Sequence, residues 1–314
     1  MKTRASLENF VDDKQWENFY NISPQRTPFS SFEFLNLEGN FHKKYVLKQN
    51  DEIVAALIVP LNAQGIPKPG SFGSIHQGIL FNPRVDSNPS VKTEMFLTLL
   101  RLAVANEIKF DVALHPNISD IRPVNWLNTE LSKEKKIEIH VRFTGIISLN
   151  EFSDFEEYLN TLPKMRRDEI RKNPLRIEHC DDSLLFAELY KESFSKQGIE
   201  FANDEWMELM EIFQFATNHP HGKLTLAFEE SISKPIAGII TIEDVDTVYY
   251  WFAATKPGFR QKAGNSKLLS GAICKAIESK KSRIDTCGMN SKEIGFFKGS
   301  FGAKPTATYQ LRYS

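Results

Sequence analysis

Two tandem α/β domains are what this sequence predicts, and three observations predict them. The chain has 314 residues, more than one hydrophobic core usually serves, so two domains of about 150 residues each are expected. Hydrophobic residues make up 41% and charged residues 25%, a globular composition that excludes a disordered chain or a fibre. A layout of strand, polar turn, strand, helix and strand then occurs twice along the chain.

The first copy begins at "YVLKQNDEIVAALIVPL" (Tyr45 to Leu61), two apolar strands around an Asn-Asp turn. It continues through "VKTEMFLTLLRLAVANEI", where Met95, Leu99, Leu102 and Val104 fall at helical spacing, and ends in the strand "KFDVALHPN". The second copy begins at "KLTLAFEESISKPIAGIITIE" (Lys223 to Glu243). It adds an extra strand, "TVYYWFAAT", before the helix "NSKLLSGAICKAIESKK" and the strand "SRIDTCGMN". Both closing strands carry an early Asp and lead to a turn ending in Asn. The boundary is expected near residue 145, giving domains 1–145 and 146–314. Between the copies, "SDFEEYLNTLPKMRRDEIRKNPLRIE" and "SLLFAELYKESFSKQ" read as helices. Pro163 suits a first helical turn and Asn173-Pro174 ends the helix it starts. In the closing stretch, Phe296, Phe297 and Phe301 are expected to anchor a short helix on the sheet, and "TATYQLRYS" alternates as a last strand.

Charge and cysteine usage narrow the function classes. Lys+Arg is 39 against Asp+Glu 40, which argues against a whole-protein grip on nucleic acid but leaves room for a local basic patch. Cys180, Cys274 and Cys287 form no CxxC pair and read as reduced thiols of a cytoplasmic protein. The opening residues show no apolar core of a signal peptide. The longest apolar runs fall far short of the roughly 20 residues a membrane helix needs. The seven histidines show no metal-ligand spacing, so no zinc or other metal site is expected.

Three stretches carry candidate chemistry. In "RQKAGNSKLL" (Arg260 to Leu269) a glycine sits between a strand and a helix. There the backbone can approach a ligand closely, and the helix N-terminus favours an anion such as phosphate. Asn265 or Ser266 is the expected N-cap. In "LPKMRRDEIRKNPLR" the bases Lys164, Arg166, Arg167, Arg171, Lys172 and Arg176 face only two acids, Asp168 and Glu169. Lys164, Arg167 and Arg171 share one helical face, either a solvated surface or a grip on something anionic. In "EIGFFKGSFGAKP" Lys298 lies among phenylalanines, its stem in apolar surroundings and its ammonium free to address a cleft or solvent.

These stretches, in this order, resemble the FemAB-like branch of the GNAT acyltransferase superfamily. The residues that carry the resemblance are "KMRRDEIRK", "AGNSKLLSGAICKAIE" and "DTCGMNSKEIGFFKGSFGAKP", and the Phe-Lys-x-x-Phe-Gly piece is the most specific. The resemblance covers roughly Leu162 to Tyr313; residues 1–145 share it only through the internal pattern. It implies two tandem GNAT-like domains, each a mixed central sheet flanked by helices. It also implies transfer of an acyl or aminoacyl group to a primary amine. The donor is then an acyl-CoA such as acetyl-CoA, or alternatively an aminoacyl-tRNA in a peptidoglycan bridge ligase. The acceptor is a small amine on a nucleotide-linked sugar, cell-wall or surface-polysaccharide precursor. A degenerate pair that binds a ligand or partner without catalysis is the reading of a different class. Donor binding would fall to Arg260, Gln261, Gly264, Asn265 and Ser266, with Ser266 standing where the family's donor loop has Gly or Ala. Arg167, Arg171 and Phe297 would hold the acceptor. Lys298 would face the developing oxyanion or an acceptor phosphate, and Asp285 or His76 would accept the amine proton.

Overall fold

The computed structural model describes all residues except 1–4, 11, 39, 69–72 and 197. The chain divides into two compact units, Met1–Arg142 with Ala307–Ser314, and Phe143–Thr306.

The first unit contains β1 (Ala5–Asn9), α1 (Asp13–Ile22), α2 (Phe32–Leu35), β2 (His42–Gln49), β3 (Glu52–Pro60) and β4 (Ile79–Phe81). α3 (Pro83–Asp86), α4 (Pro89–Ala105), β5 (Phe110–Ala113) and α5 (Arg122–Glu130) follow. Strands β1-β2-β3-β4 form an antiparallel sheet in that order. Asn50 and Asp51 both take positive φ, 52° and 64°, the twist that a two-residue hairpin requires and that Asn and Asp tolerate best after glycine. β3 is apolar on both sides because both faces of the sheet are covered. Trp16, Phe19 and Leu35 pack with Val46, Ala56 and Ile58, while Phe96, Leu99 and Leu100 of α4 pack with Leu47, Leu57 and Val59.

The second unit takes up β6 (Glu138–Ser148) from Phe143 onward. It continues with α6 (Phe155–Thr161), α7 (Lys164–Lys172), β7 (Arg176–Cys180), α8 (Ser183–Ser195), α9 (Asn203–Asn218) and β8 (Gly222–Phe228). Then come β9 (Ala237–Glu243), β10 (Thr247–Thr255), α10 (Gly264–Glu278), β11 (Arg283–Gly288), α11 (Lys292–Gly299) and the start of β12 (Lys304–Tyr313). The strand order is β6-β11-β10-β9-β8-β7. β6–β11, β10–β9, β9–β8 and β8–β7 are antiparallel, and β10 and β11 run parallel. α10, backed by α6 and α7, covers one face; α8 and α9 cover the other.

The "extra" strand of the second copy has a counterpart after all. β4 occupies the same place in the first unit's order, but at three residues it is too short to show a period in the sequence. The closing strand also departs from the linear reading, which gives residues 146–314 to one domain. From Ala307 the chain belongs to the first unit. There Gln310 to Tyr313 pair with Ala113 to Phe110 of β5, Leu311 and Tyr313 enter the first core, and Arg312 bonds Asp111 at 2.7 Å. Leu311→Ala is therefore expected to cost about 2–5 kcal/mol in urea unfolding, although it lies far along the chain from the core it fills. A loss below about 0.5 kcal/mol contradicts that packing.

Candidate active site

The parallel pair β10–β11 builds the centre of the site. It is paired at Thr247↔Arg283, Val248↔Ile284 and Tyr249↔Asp285 and then stops, although β10 runs on to Thr255 and β11 to Gly288. Each strand bends where they part. β10 carries a bulge between Tyr250 and Phe252 against β9. β11 loses register with β6 between Asp285 and Gly288, where Cys287 takes φ 61°. An extra residue on one strand bends and twists it, and bulges of this kind often lie beside functional sites. The two strands open as a fork, at the carboxyl ends where α/β sheets commonly bind ligands.

Lys298 closes the β11 arm. Its ammonium donates to the carbonyl oxygens of Thr286 and, at 2.8 Å, of Gly288, so two of its three N–H groups are used. The side chain is buried, and this desolvation holds its pKa below the ordinary lysine value, partly opposed by Cys287 and Asp285. Asp285 accepts from the Thr144 hydroxyl and, at 2.7 Å, from the Cys287 N–H. Its carboxylate thus fixes the turn that carries the Gly288 carbonyl toward Lys298. Tyr250, which sequence reasoning passed over, lies with its ring centroid 5.9 Å from the Lys298 nitrogen. Its buried hydroxyl has no hydrogen-bond partner among the described residues, and desolvation raises its pKa.

The other arm leads to the α10 N-terminus. Arg260–Lys262 form a 3-10 turn, Ala263 takes the left-handed φ of 54°, and α10 starts at Gly264 with no side-chain cap. Asn265 and Ser266 therefore lie in the first turn, not at the N-cap the sequence suggests, because the left-handed residue Ala263 already sets the helix start. Asn265 keeps a buried Oδ1 without a partner among the described residues. Gln261 bonds the Gly258 carbonyl at 2.7 Å, Arg260 is exposed, and Lys262 pairs with Glu229. A cleft of about 620 Å³ borders this turn, lined in part by Glu169, Lys172, Asn173, Glu229, Gln261 and Lys262. Gly264 has a packing reason beside any ligand: a Cβ there would stand 2.5 Å from the Ala237 Cβ.

Not every expected residue joins this centre. On α7, Arg171 pairs with Glu156 at 2.5 Å and Arg167 donates to the Asn160 carbonyl at 3.0 Å. The buried member is Arg166, which shares a face with Ile170; that i,i+4 pairing with the helix's core residue was the available signal. Phe297 lies 5.3 Å from Phe301, but Phe296 is 71% exposed and anchors nothing. His76 belongs to the first unit, buried, with its ring 5.8 Å from that of His115.

Residues 160–297 match a family model described as an acetyltransferase (GNAT) domain. The fold is a FemAB-like tandem GNAT fold. It is similar to the crystal structure of FemX at a TM-score of 0.64 and 12% identity, over 97% of this chain and 96% of that one. It is also similar to a tandem GNAT protein from the clavulanic acid biosynthesis pathway, solved without acetyl-CoA. The TM-score there is 0.59 at 9% identity, covering 99% of this chain and 98% of that chain. A protein of unknown function from Bacteroides thetaiotaomicron aligns at 0.56 and 10% identity, over 99% and 100%. No curated protein matches the sequence. Among the described residues no helix is long and apolar enough to cross a membrane.

Gly264→Ala is expected to destabilise the second unit by about 1–3 kcal/mol, as overpacking does. Gly264→Ala combined with Ala237→Gly should recover much of the loss in thermal unfolding. Equal melting temperatures for the single and double variants contradict the close helix–strand approach.

Proposed function

We propose that this protein is an N-acyltransferase that moves an acyl group from an acyl-CoA to a primary amine. Its acceptor is an amine on a cell-wall or surface-polysaccharide precursor. The observation that carries this reading is the ammonium of Lys298, held at one arm of an open strand fork whose other arm leads to an uncapped helix N-terminus.

The chemistry follows from those parts. The donor's phosphates meet the amides of the first α10 turn, from Gly264 to Ser266, with Arg260 and Gln261 at its rim. The thioester enters the fork, where β10 beyond Tyr249 has no partner strand on that side among the described residues. The amine attacks the acyl carbonyl, a C–N bond forms, and the carbonyl oxygen becomes an oxyanion. A remaining N–H of Lys298 donates to that oxygen. The C–S bond then breaks, the amine loses a proton, and the thiol leaves protonated. Asp285 acts by holding the turn beneath Lys298, and Phe297 presents an apolar wall beside it. Glu229, Glu169 and Glu156 already engage Lys262, Arg166 and Arg171, which leaves fewer free bases for a long polyanionic tRNA and supports a small donor.

Calorimetric titration with acetyl-CoA and with an aminoacyl-tRNA separates the donors. Thiol release in the presence of a panel of amines then measures turnover. Lys298→Ala is expected to lower kcat by about 10²–10³-fold with KM for the donor little changed. A raised KM at unchanged kcat overturns the oxyanion role, and binding of tRNA alone moves the protein to the bridge-ligase reading.

A further inference from the structure

We infer that Arg166 is the positioning residue of this site: one buried guanidinium that sets the donor helix and the lysine helix in register. This inference rests on the acyl-transfer reading only for its catalytic consequence. Arg166 donates from Nη1 to the Ser266 hydroxyl at 2.6 Å. It donates from Nε and Nη2 to the Ser300 hydroxyl at 3.1 and 2.8 Å. Ser266 lies in the first turn of α10, and Ser300 is the residue that ends α11. Ser300 is itself fixed, its hydroxyl donating to the Phe297 carbonyl at 2.6 Å.

Two aromatic rings pack against the guanidinium as well. It lies 4.7 Å from the Phe301 ring centroid and 5.4 Å from that of Phe297, the two aromatics that flank Lys298 in sequence. Glu169 balances the charge at 2.5 Å. A buried charge that is paired, stacked and bonded through a rigid fork holds its neighbours in one geometry, which an ammonium on a flexible stem cannot do. Three segments that each look independent in the sequence, α7, the α10 start and α11, thus meet on one side chain. Arg166 touches neither expected substrate nor reacting atoms. It acts through Ser300 and the two phenylalanines on Lys298, and through Ser266 on the helix turn that receives the donor.

Two readouts test this. The first is competitive labelling of lysine amines with acetic anhydride, resolved by mass spectrometry at Lys298. It needs no turnover and so stands apart from the acyl-transfer reading. Ser300→Ala and Ser266→Ala retain the arginine and are mild changes. Ser300→Ala is expected to speed Lys298 labelling about fivefold or more relative to the other lysines of the second unit, and Arg166→Met more still. The second readout is kcat for acyl transfer. If Arg166 links the two helix ends, Ser266→Ala and Ser300→Ala together lower kcat no more than the worse single change. In an Arg166→Met background neither has a further effect. Arg166→Lys does not restore the wild-type rate. Lys298 labelling unchanged in Ser300→Ala overturns the positioning of the lysine. Additive serine effects that persist without Arg166 overturn the linkage. Faster labelling in a protein that transfers no acyl group leaves the positioning intact and removes the acyl-transfer reading instead.

Discussion

The second unit depends on a pairing that ends early. β10 and β11 share hydrogen bonds only as far as Tyr249 and Asp285, and everything at the candidate site is arranged around the gap that follows. A parallel pair that continued would bury its backbone groups in the ladder. Here the bulge at Tyr250–Phe252 turns one strand away, and the left-handed Cys287 turns the other. Backbone groups bent out of a sheet must find partners elsewhere. On the β11 side the carbonyls of Thr286 and Gly288 find the Lys298 ammonium. The same contact that satisfies the broken ladder brings a positive charge to the mouth of the fork.

That charge is costly to bury, and the surroundings offset the cost in several ways. Two carbonyl dipoles accept from it, the Tyr250 ring lies beneath it, and the Asp285 and Cys287 side chains favour its protonated form. Asp285 serves twice, since its carboxylate also ties down the Cys287 N–H and the Thr144 hydroxyl. Arg166 then bonds Ser300 at the end of the helix that carries the lysine and Ser266 in the first turn of α10. The unit thus holds two polar groups inside an apolar shell, Lys298 with the β11 turn and Arg166 with the two serines.

Much of this is legible in the sequence. α7 spans Lys164–Lys172, the basic stretch bounded by Pro163 and Asn173-Pro174, because proline marks both ends. The hairpin at Asn50-Asp51 and the strands β8 to β10 follow from turn residues and apolar runs. Three things were hidden, each for a physical reason. β4 is too short to show a period. The last strand's allegiance is decided by long-range pairing of Leu311 and Tyr313 with β5, which no local pattern encodes. The role of Arg166 was masked by its neighbours: in a run of bases, only the position relative to Ile170 separates a buried arginine from the solvated Arg171. The expectation that Asn265 or Ser266 caps α10 failed because Ala263 takes a left-handed turn that alanine rarely adopts.

Hydrogen–deuterium exchange with and without acetyl-CoA tests most directly whether the fork and the helix start beside it form the donor site. Slower exchange of the amides in Trp251–Thr255 and Gly264–Lys267 on addition of acetyl-CoA, with the α8 and α9 amides unchanged, is the predicted result. Protection confined to other segments, with both of these unaltered, contradicts the account.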